Sequence, residues 1–152
     1  MKKIELTQDK YAIVDDDDYP ELSKHKWYCS IWGYAVRRYK KSSIRMHRVI
    51  MNAKKGQEVD HRNTVKLDNR KRNLRICTRQ QNMQNMLPKQ GFTSKFKGVS
   101  WCKDRNKWIV FIRLNKKLYY IGRFYSEIEA AKAYDKAARK YFGEFARINE
   151  VA

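Results

Sequence analysis

The pattern of apolar and polar positions is most regular towards the carboxyl end of the chain. Runs rich in β-branched and aromatic residues, separated by polar turns, predict strands at residues 97–101, 107–114 and 118–124. From Ser126 to Phe142 the apolar residues recur at three- and four-residue steps, and Glu129 completes a capping box with Ser126. This half of the pattern predicts a three-stranded sheet packed against one helix.

The amino-terminal pattern alternates over shorter distances. Residues 2–14 predict two strands around a polar turn, and residues 26–45 predict three more. The second segment is rich in aromatic residues, which we expect to form the core of a small sheet rather than a base-stacking platform: Trp27, Tyr28, Trp32, Tyr34 and Tyr39. A short helical stretch follows at residues 46–51. His47 in this stretch is either structural or part of a functional site, and the sequence leaves both open.

These patterns predict an α+β protein. A small antiparallel sheet leads into a strand–strand–helix core, and a three-stranded antiparallel sheet packed on one helix follows. The turn residues Pro88 and Gly91 indicate a linker. The expected organisation is an amino-terminal β-rich region, a central core, a linker and a carboxyl-terminal domain, at residues 1–43, 44–86, 87–95 and 96–152.

Charge is distributed unevenly over this organisation. The chain has 35 Lys and Arg against 16 Asp and Glu, for a formal net charge of +19. Residues 1–40 contribute +1, residues 41–90 contribute +10 and residues 91–152 contribute +8. Because such an excess attracts polyanions, double-stranded DNA is the expected partner. No obligate protein partner is indicated.

Two other classes of protein are disfavoured by the sequence. No stretch reaches the roughly 18 consecutive apolar residues of a membrane span, and the first residues lack an apolar signal segment. A soluble, cytoplasmic protein with no membrane partner is therefore expected. Cys29, Cys77 and Cys102 contain no C-x-x-C pair, which argues against a disulfide framework or a zinc finger.

Side chains suited to phosphodiester hydrolysis concentrate in residues 59–82. The reaction requires a group that deprotonates water, a cation on the phosphate and basic groups that hold the strand. Asp60 and His61 lie at the end of a predicted strand, where the chain turns and both can face one cleft. Thr78 is a candidate helix cap that would place Asn82 one turn into a helix.

The segments VDH, DNRKRNLR and TRQQN resemble the ββα-metal core of HNH endonucleases, particularly those of phages and mobile introns, over residues 44–86. The resemblance implies that Asp60 and Asn82 bind one Mg²⁺ or Mn²⁺ ion per active site and that His61 is the general base. It implies a supporting role for Asn73 through hydrogen bonds to the loop and the base. Hard oxygen donors of this kind suit magnesium better than zinc. A bacterial cell or a phage-infected bacterial host is then the expected location.

Arginines flank this core throughout. A contact with a phosphate, independent of base sequence, is the simplest expectation for the six that lie nearest in sequence: Arg48, Arg62, Arg70, Arg72, Arg75 and Arg79.

The carboxyl-terminal segments FKGVSWCKDRNKWIVFIR and LYYIGRF, with the helix that follows, resemble the Apetala-type domain of plant ethylene-response factors. That family implies a sheet that lies in the DNA major groove. The corresponding candidate DNA contacts here are Lys97, Trp101, Lys103, Arg105, Arg113, Lys117, Tyr120 and Arg123. Trp108 is expected in the core.

Together these features predict a metal-dependent endonuclease that hydrolyses phosphodiester bonds in duplex DNA, of the homing or mobile-element kind. The alternative is a transcription regulator, in which the carboxyl-terminal domain binds DNA and the HNH core is only a scaffold. The intact acid, base and amide argue for the nuclease.

Overall fold

The computed structural model describes residues 1–88 and 91–151 of the chain. The chain divides into two units, Met1–Asn82 and Met83–Ala152, so the division falls between Asn82 and Met83. The expected linker at residues 87–95 partly lies outside the described residues, and the four-segment organisation stays a prediction.

The first unit is built from short strands and helices, because no apolar run within it exceeds four residues. Its strands are β1 (Lys2–Glu5), β2 (Tyr11–Val14), β3 (Tyr28–Cys29), β4 (Ala35–Tyr39), β5 (Ser42–Arg45), β6 (Glu58–His61) and β7 (Leu74–Cys77). Its helices are α1 (Tyr19–Ser23), α2 (Met46–Ile50) and α3 (Arg79–Asn85), the last of which runs across the division.

The strands of the first unit form three small antiparallel sheets with the orders β1-β2, β3-β4-β5 and β6-β7. Apolar side chains from the first two sheets and from α1 and α2 make one core, which includes Val14, Leu22, Trp27 and Met46. The edge of β2 also holds a loop. Ile13 N–H donates to Leu67 O at 2.8 Å, and Asn69 N–H donates to Ile13 O at 2.8 Å. The loop before β7 is thereby fixed against the core.

The aromatic residues of the β3–β5 sheet do not all enter this core. Trp27 is buried, and its indole N–H donates to Leu22 O at 2.7 Å. Trp32 and Tyr39, however, are 69% and 50% exposed. The expectation that these two aromatic residues are core residues is wrong. Trp32 lies in the turn between β3 and β4, which projects from the sheet, and Tyr39 lies at the end of β4.

The second unit matches the pattern from which it was predicted. It contains β8 (Val99–Cys102), β9 (Lys107–Leu114), β10 (Lys117–Phe124) and α4 (Glu127–Phe142). The strands form an antiparallel sheet in the order β10-β9-β8, and α4 packs on it through a core that includes Val99, Val110, Ile112, Ala131 and Tyr134. Trp108 is half-buried against this core. The α+β class and the three-stranded sheet backed by one helix are confirmed.

A glycine allows close contact between the sheet and the helix. Gly98 has a φ of +76°, and a Cβ at this position would lie 2.1 Å from Cδ2 of Tyr134. The Tyr134 ring therefore packs directly on the backbone that leads into β8.

In the described part of the chain, no helix is both long and apolar enough to cross a membrane.

Candidate active site

The candidate site is built on the hairpin of β6 and β7. Asp60 pairs with Arg75 and His61 with Leu74 in the antiparallel register, and β6 ends at His61 as expected. Each of the two side chains is only 5% exposed. Because buried polar groups must be hydrogen-bonded or ion-paired to be tolerated, their partners define what the site can do.

The His61 imidazole lies among three other side chains. Its ring centroid is 5.0 Å from that of His47 and 6.0 Å from that of Tyr34, and Tyr34 contacts His47 edge-on at 5.2 Å. Nε2 of His61 lies 3.3 Å from Oδ1 of Asn69. Burial lowers the pKa of His61, although the Asn69 hydrogen bond acts in the opposite direction. The ring is accordingly neutral near neutral pH, and a neutral imidazole can accept a proton.

Asn69 is a functional candidate that we expected from the sequence to be a bystander. It is completely buried, its Nδ2 donates to Leu67 O at 3.3 Å, and its backbone is bonded to Ile13 of β2. The amide is thus fixed from two sides while its Oδ1 meets His61. No periodic pattern could have revealed this contact, since Asn69 lies in a loop and its burial depends on β2.

His47 is buried beside His61 and is 4% exposed. Burial lowers the pKa of His47 to about 3, and the neighbouring His61 and the charges of Arg45 and Arg48 act in the same direction. His47 is therefore a neutral ring at neutral pH. Its edge-on contact supports the position of His61.

Asn73 holds the loop between β6 and β7. Its Oδ1 accepts from Asn63 N–H at 3.0 Å, and its Nδ2 donates to Asp68 O at 2.7 Å. Asp68 in turn forms two hydrogen bonds with the Arg70 guanidinium, at 2.7 Å from Nε and 2.6 Å from Nη2, which hold the pKa of this carboxyl below its usual range. This network fixes the loop that carries Asn69.

Asp60 forms a buried ion pair across the hairpin. Nε and Nη2 of Arg75 lie 2.8 and 2.7 Å from Oδ2 of Asp60. Such a pair offsets the desolvation of both charges, whereas removal of either partner leaves an uncompensated buried charge.

Asn82 reaches the same hairpin from α3. Thr78 caps that helix reciprocally, because its Oγ1 accepts from Gln81 N–H at 3.2 Å and its own N–H donates to Oε1 of Gln81 at 2.8 Å. Asn82 Nδ2 then donates to Oε2 of Glu58 at 2.5 Å. Glu58 and Asp60 are two residues apart on β6 and so share one face of the strand. The sequence did not suggest Glu58.

The oxygen donors on this face fit a hard divalent cation. The described residues contain no cluster of three or more His, Cys, Asp or Glu side chains with the arrangement of a metal site. Two carboxylates and one amide oxygen, from Glu58, Asp60 and Asn82, are nevertheless the donor types that magnesium accepts while it keeps several waters.

The six flanking arginines fall into two groups. Arg48 donates to the backbone oxygens of Gln57, Ala53 and Lys54 at 2.6, 3.2 and 3.0 Å, and Arg70 and Arg75 bind carboxylates within the unit. The exposed group consists of Arg62, Arg72 and Arg79. The guanidinium groups of Arg48, Arg70 and Arg75 thus bind oxygens of the protein, whereas Arg62, Arg72 and Arg79 are exposed to solvent.

The predicted DNA contacts of the second unit also differ in their surroundings: some have partners within the protein and others are exposed. Lys97 Nζ donates to the carbonyl oxygens of Gln84 and Met86 at 2.5 and 2.6 Å, so it closes the carboxyl end of α3. Trp101 pairs with Trp108 on the neighbouring strand, so both side chains lie on the face of the sheet that faces the helix. Their rings meet edge-on with centroids 5.0 Å apart. Lys117 is exposed and pairs with Leu114, and Lys103 and Arg105 are exposed in a 3₁₀ turn.

One face of the β8–β10 sheet carries the remaining candidates. Tyr120 pairs with Phe111, Leu118 with Arg113 and Arg123 with Ile109, so these six side chains lie on the face opposite Val110 and Ile112. Arg123 lies 5.6 Å from the Tyr120 ring centroid. We call this the outer sheet face, and it consists of Ile109, Phe111, Arg113, Leu118, Tyr120 and Arg123.

Known proteins with a similar sequence indicate the family of this chain. The sequence model described as "HNH endonuclease" matches residues 45–84, which include β6, β7 and most of α3. The chain is 33% identical over 147 residues to a protein of Acanthamoeba polyphaga mimivirus named as an uncharacterized HNH endonuclease, covering 93% of this chain and 75% of that protein. It is also 30% identical over 93 residues to protein 3.8 of Escherichia phage T7, covering 61% of this chain and 76% of that protein. A buried histidine at the end of a two-stranded hairpin followed by a helix, together with these relationships, shows that the chain belongs to the HNH endonuclease family.

Proposed function

We propose that this HNH endonuclease hydrolyses phosphodiester bonds in duplex DNA with one Mg²⁺ or Mn²⁺ ion per active site. The observation that carries the proposal is the buried His61, fixed by Asn69 and by two aromatic contacts next to the acidic face of β6. A fixed neutral imidazole is the group that a water-activating nuclease requires.

In this mechanism His61 accepts the proton of the attacking water. Its ring is held by Asn69, Tyr34 and His47, so the imidazole meets the water in one orientation. Such positioning accounts for a large part of the catalytic effect, because reaction requires the reacting atoms to be aligned. Asn73 supports the same geometry at one remove, through the loop that it ties to Asp68 and Asn63.

Asp60 and the amide oxygen of Asn82 would hold the divalent ion, with Glu58 on the same face of β6 as a third oxygen donor. When bound, the ion supplies positive charge to the scissile phosphate and to the leaving oxygen. Arg75, which forms the ion pair with Asp60 in this structure, orients that carboxylate. The exposed Arg62, Arg72 and Arg79 bind neighbouring phosphates.

The second unit acts as the DNA-docking module, and its outer sheet face is the contact surface. Arg113 and Arg123 give this face its charge, and Tyr120 and Phe111 give it aromatic area with ring centroids 5.6 Å apart. These properties support the Apetala-type resemblance and sheet docking in a groove. A tandem of docking and cleavage modules raises the effective concentration of the nuclease at its site, which is useful for a homing or mobile-element enzyme.

Cleavage of supercoiled plasmid tests the proposal. Wild type is expected to cut in Mg²⁺ or Mn²⁺ and not in EDTA, while His61→Ala lowers the rate about 10²- to 10⁴-fold and Asp60→Ala abolishes metal-dependent cutting. Lys41→Gln, which removes an exposed charge from the turn between β4 and β5, serves as the control and changes the rate much less. Undiminished cutting by His61→Ala contradicts the assignment, and DNA binding without any cutting by wild type favours a regulator.

The docking role has its own test. Arg113→Gln with Arg123→Gln is expected to weaken binding to duplex DNA and to reduce the slope of log affinity against log salt by about 1 to 2. A matched pair on α4, Lys132→Gln with Lys136→Gln, removes the same charge from another surface. Equal slopes for the two pairs would show that the outer sheet face has no special role.

A further inference from the structure

The most exposed apolar side chains of the first unit lie together in the turn between β3 and β4. Ile31 is 92% exposed and Trp32 is 69% exposed. Tight turns ordinarily use Gly, Asn, Asp or Ser, whose side chains suit the turn backbone or water. Neighbouring large apolar residues at such a position indicate a binding surface.

The backbone of this turn is held firmly. Gly33 N–H donates to Ser30 O at 2.8 Å, Ser30 N–H donates to Tyr34 O at 2.9 Å, and Tyr34 N–H donates to Oγ of Ser30 at 3.1 Å. Lys66 Nζ adds a bond to Trp32 O at 2.9 Å from the loop that follows β6. The two side chains are therefore displayed on a prearranged support, which lowers the entropic cost of binding.

The turn lies next to the candidate active site. Tyr34 ends the turn and contacts both His47 and His61. Lys66 belongs to the loop between β6 and β7, which also carries Asn69. The turn that carries Ile31 and Trp32 is therefore joined to the site through Tyr34 and through the loop of Lys66.

Positive charge lies against Tyr34, the residue that ends the turn. Lys66 Nζ lies 5.0 Å from the Tyr34 ring centroid, and Cζ of Arg45 lies 5.3 Å from it. Lys66, Arg45 and Arg62 are all exposed. A partner with an anionic exterior and a stacked apolar interior matches this combination, and duplex DNA has both.

We propose that Ile31 and Trp32 form an apolar wedge that enters the base stack of duplex DNA beside the scissile phosphate. The inference rests on the proposed cleavage of duplex DNA. Insertion unstacks one base step and kinks the duplex, which brings the phosphate towards His61. Because pyrimidine–purine steps deform most easily, the wedge also gives the enzyme a preference for sequence without a base-specific hydrogen bond.

Binding and bending of duplex DNA test the wedge. Affinity is measured by fluorescence anisotropy and bending by energy transfer between end labels, with Ca²⁺ in place of Mg²⁺ to suppress cutting. Trp32→Ala is expected to weaken binding about tenfold and to reduce the bend, and Ile31→Ala acts in the same direction. Trp32→Phe retains a flat ring and most of the affinity. Tyr11→Ala, which removes another exposed aromatic residue beside a lysine, leaves both quantities unchanged.

The difference in emission between wild type and Trp32→Phe isolates the Trp32 signal, which is expected to be quenched on DNA binding. Wild-type affinity and bend in Trp32→Ala, to within about twofold, overturn the wedge. So does a Trp32-dependent dimer in solution, or Trp32-dependent binding to phosphatidylcholine–phosphatidylglycerol vesicles with DNA binding unaffected. A wild type that bends DNA but never cuts it in Mg²⁺ refutes the proposed function and leaves the wedge in place.

Discussion

The interiors of the two units differ in what they bury. The β6–β7 region of the first unit buries a polar group of seven residues, which are His47, Asp60, His61, Asp68, Asn69, Asn73 and Arg75. The sheet and helix of the second unit enclose an apolar core, with Val110, Ala130 and Ala138 completely buried. The first unit has an apolar core as well, so the comparison is between its polar group and the apolar core of the second unit.

An apolar core is stabilised by burial alone, so its residues need only suitable shape and volume. A polar interior is stable only when each group finds its partner, and here the partners converge on His61 and Asp60. The seven residues all lie within residues 45–84, which the HNH endonuclease model matches, so we infer that this polar group serves the proposed nuclease site.

The largest expected effect is the destabilisation of the apolar core of the second unit. In Gly98→Ala the new Cβ meets the Tyr134 ring at 2.1 Å and the residue keeps a positive φ, so the free energy of unfolding of the second unit falls by about 3 kcal/mol. Gly143→Ala has a positive φ without a neighbour within 4 Å and loses only about 1 kcal/mol. Amide hydrogen exchange assigns the loss to a unit. Equal losses in the two variants would refute the packing argument.

The substitution Asn69→Leu is expected to destabilise the buried polar group of the first unit. The variant leaves the His61 Nε2 and the Leu67 carbonyl without this partner, so we expect a loss of about 2 to 3 kcal/mol in denaturant unfolding and slower plasmid cutting. Ile112→Leu is the matched change in the apolar core and is expected to cost less than about 1.5 kcal/mol. If Asn69→Leu is as stable and active as wild type, the amide contact is unimportant.

A fall in pH is expected to destabilise the first unit more than the second, because the two buried histidines, His47 and His61, belong to the first unit. The pKa of His47 is about 3 in the folded chain, below its usual value, so the unfolded chain binds more protons below about pH 6.5. Stability is therefore lost as pH falls, by about 2 kcal/mol between about pH 7 and pH 5 from this group. Unfolding of His47→Gln is expected to depend less on pH, with the exposed His25→Gln as control. Parallel pH profiles for His47→Gln and wild type would contradict the assignment.

Helix caps give the smallest expected difference. Thr78→Ala removes a reciprocal cap from α3 and should cost about 1 kcal/mol. Ser126→Ala removes a single bond of 3.5 Å from α4 and should cost about 0.5 kcal/mol. Thermal unfolding of both variants measures the difference, and a larger loss for Ser126→Ala would reverse the ranking.

Much of the fold could be predicted from local patterns. The strands of the second unit and α4 follow from period-two and three-to-four spacing, and α3 follows from Thr78. The exposure and the hydrogen-bond partners of individual side chains could not be predicted from these patterns. Trp32 is exposed because it occupies a turn, and the guanidinium of Arg48 and the ammonium of Lys97 donate to backbone oxygens that only the folded chain brings within reach.

The sequence by itself determined that this chain is a strongly basic α+β protein with the acid, histidine and amides of an HNH nuclease, since charge, periodicity and motif spacing are local properties. The tertiary structure alone decided that Asn69 contacts His61, that Glu58 accepts from Asn82, and that Ile31 and Trp32 are exposed. The reason is physical. Each of these contacts depends on which loop is fixed to which strand edge, and that is set by packing between residues distant in sequence.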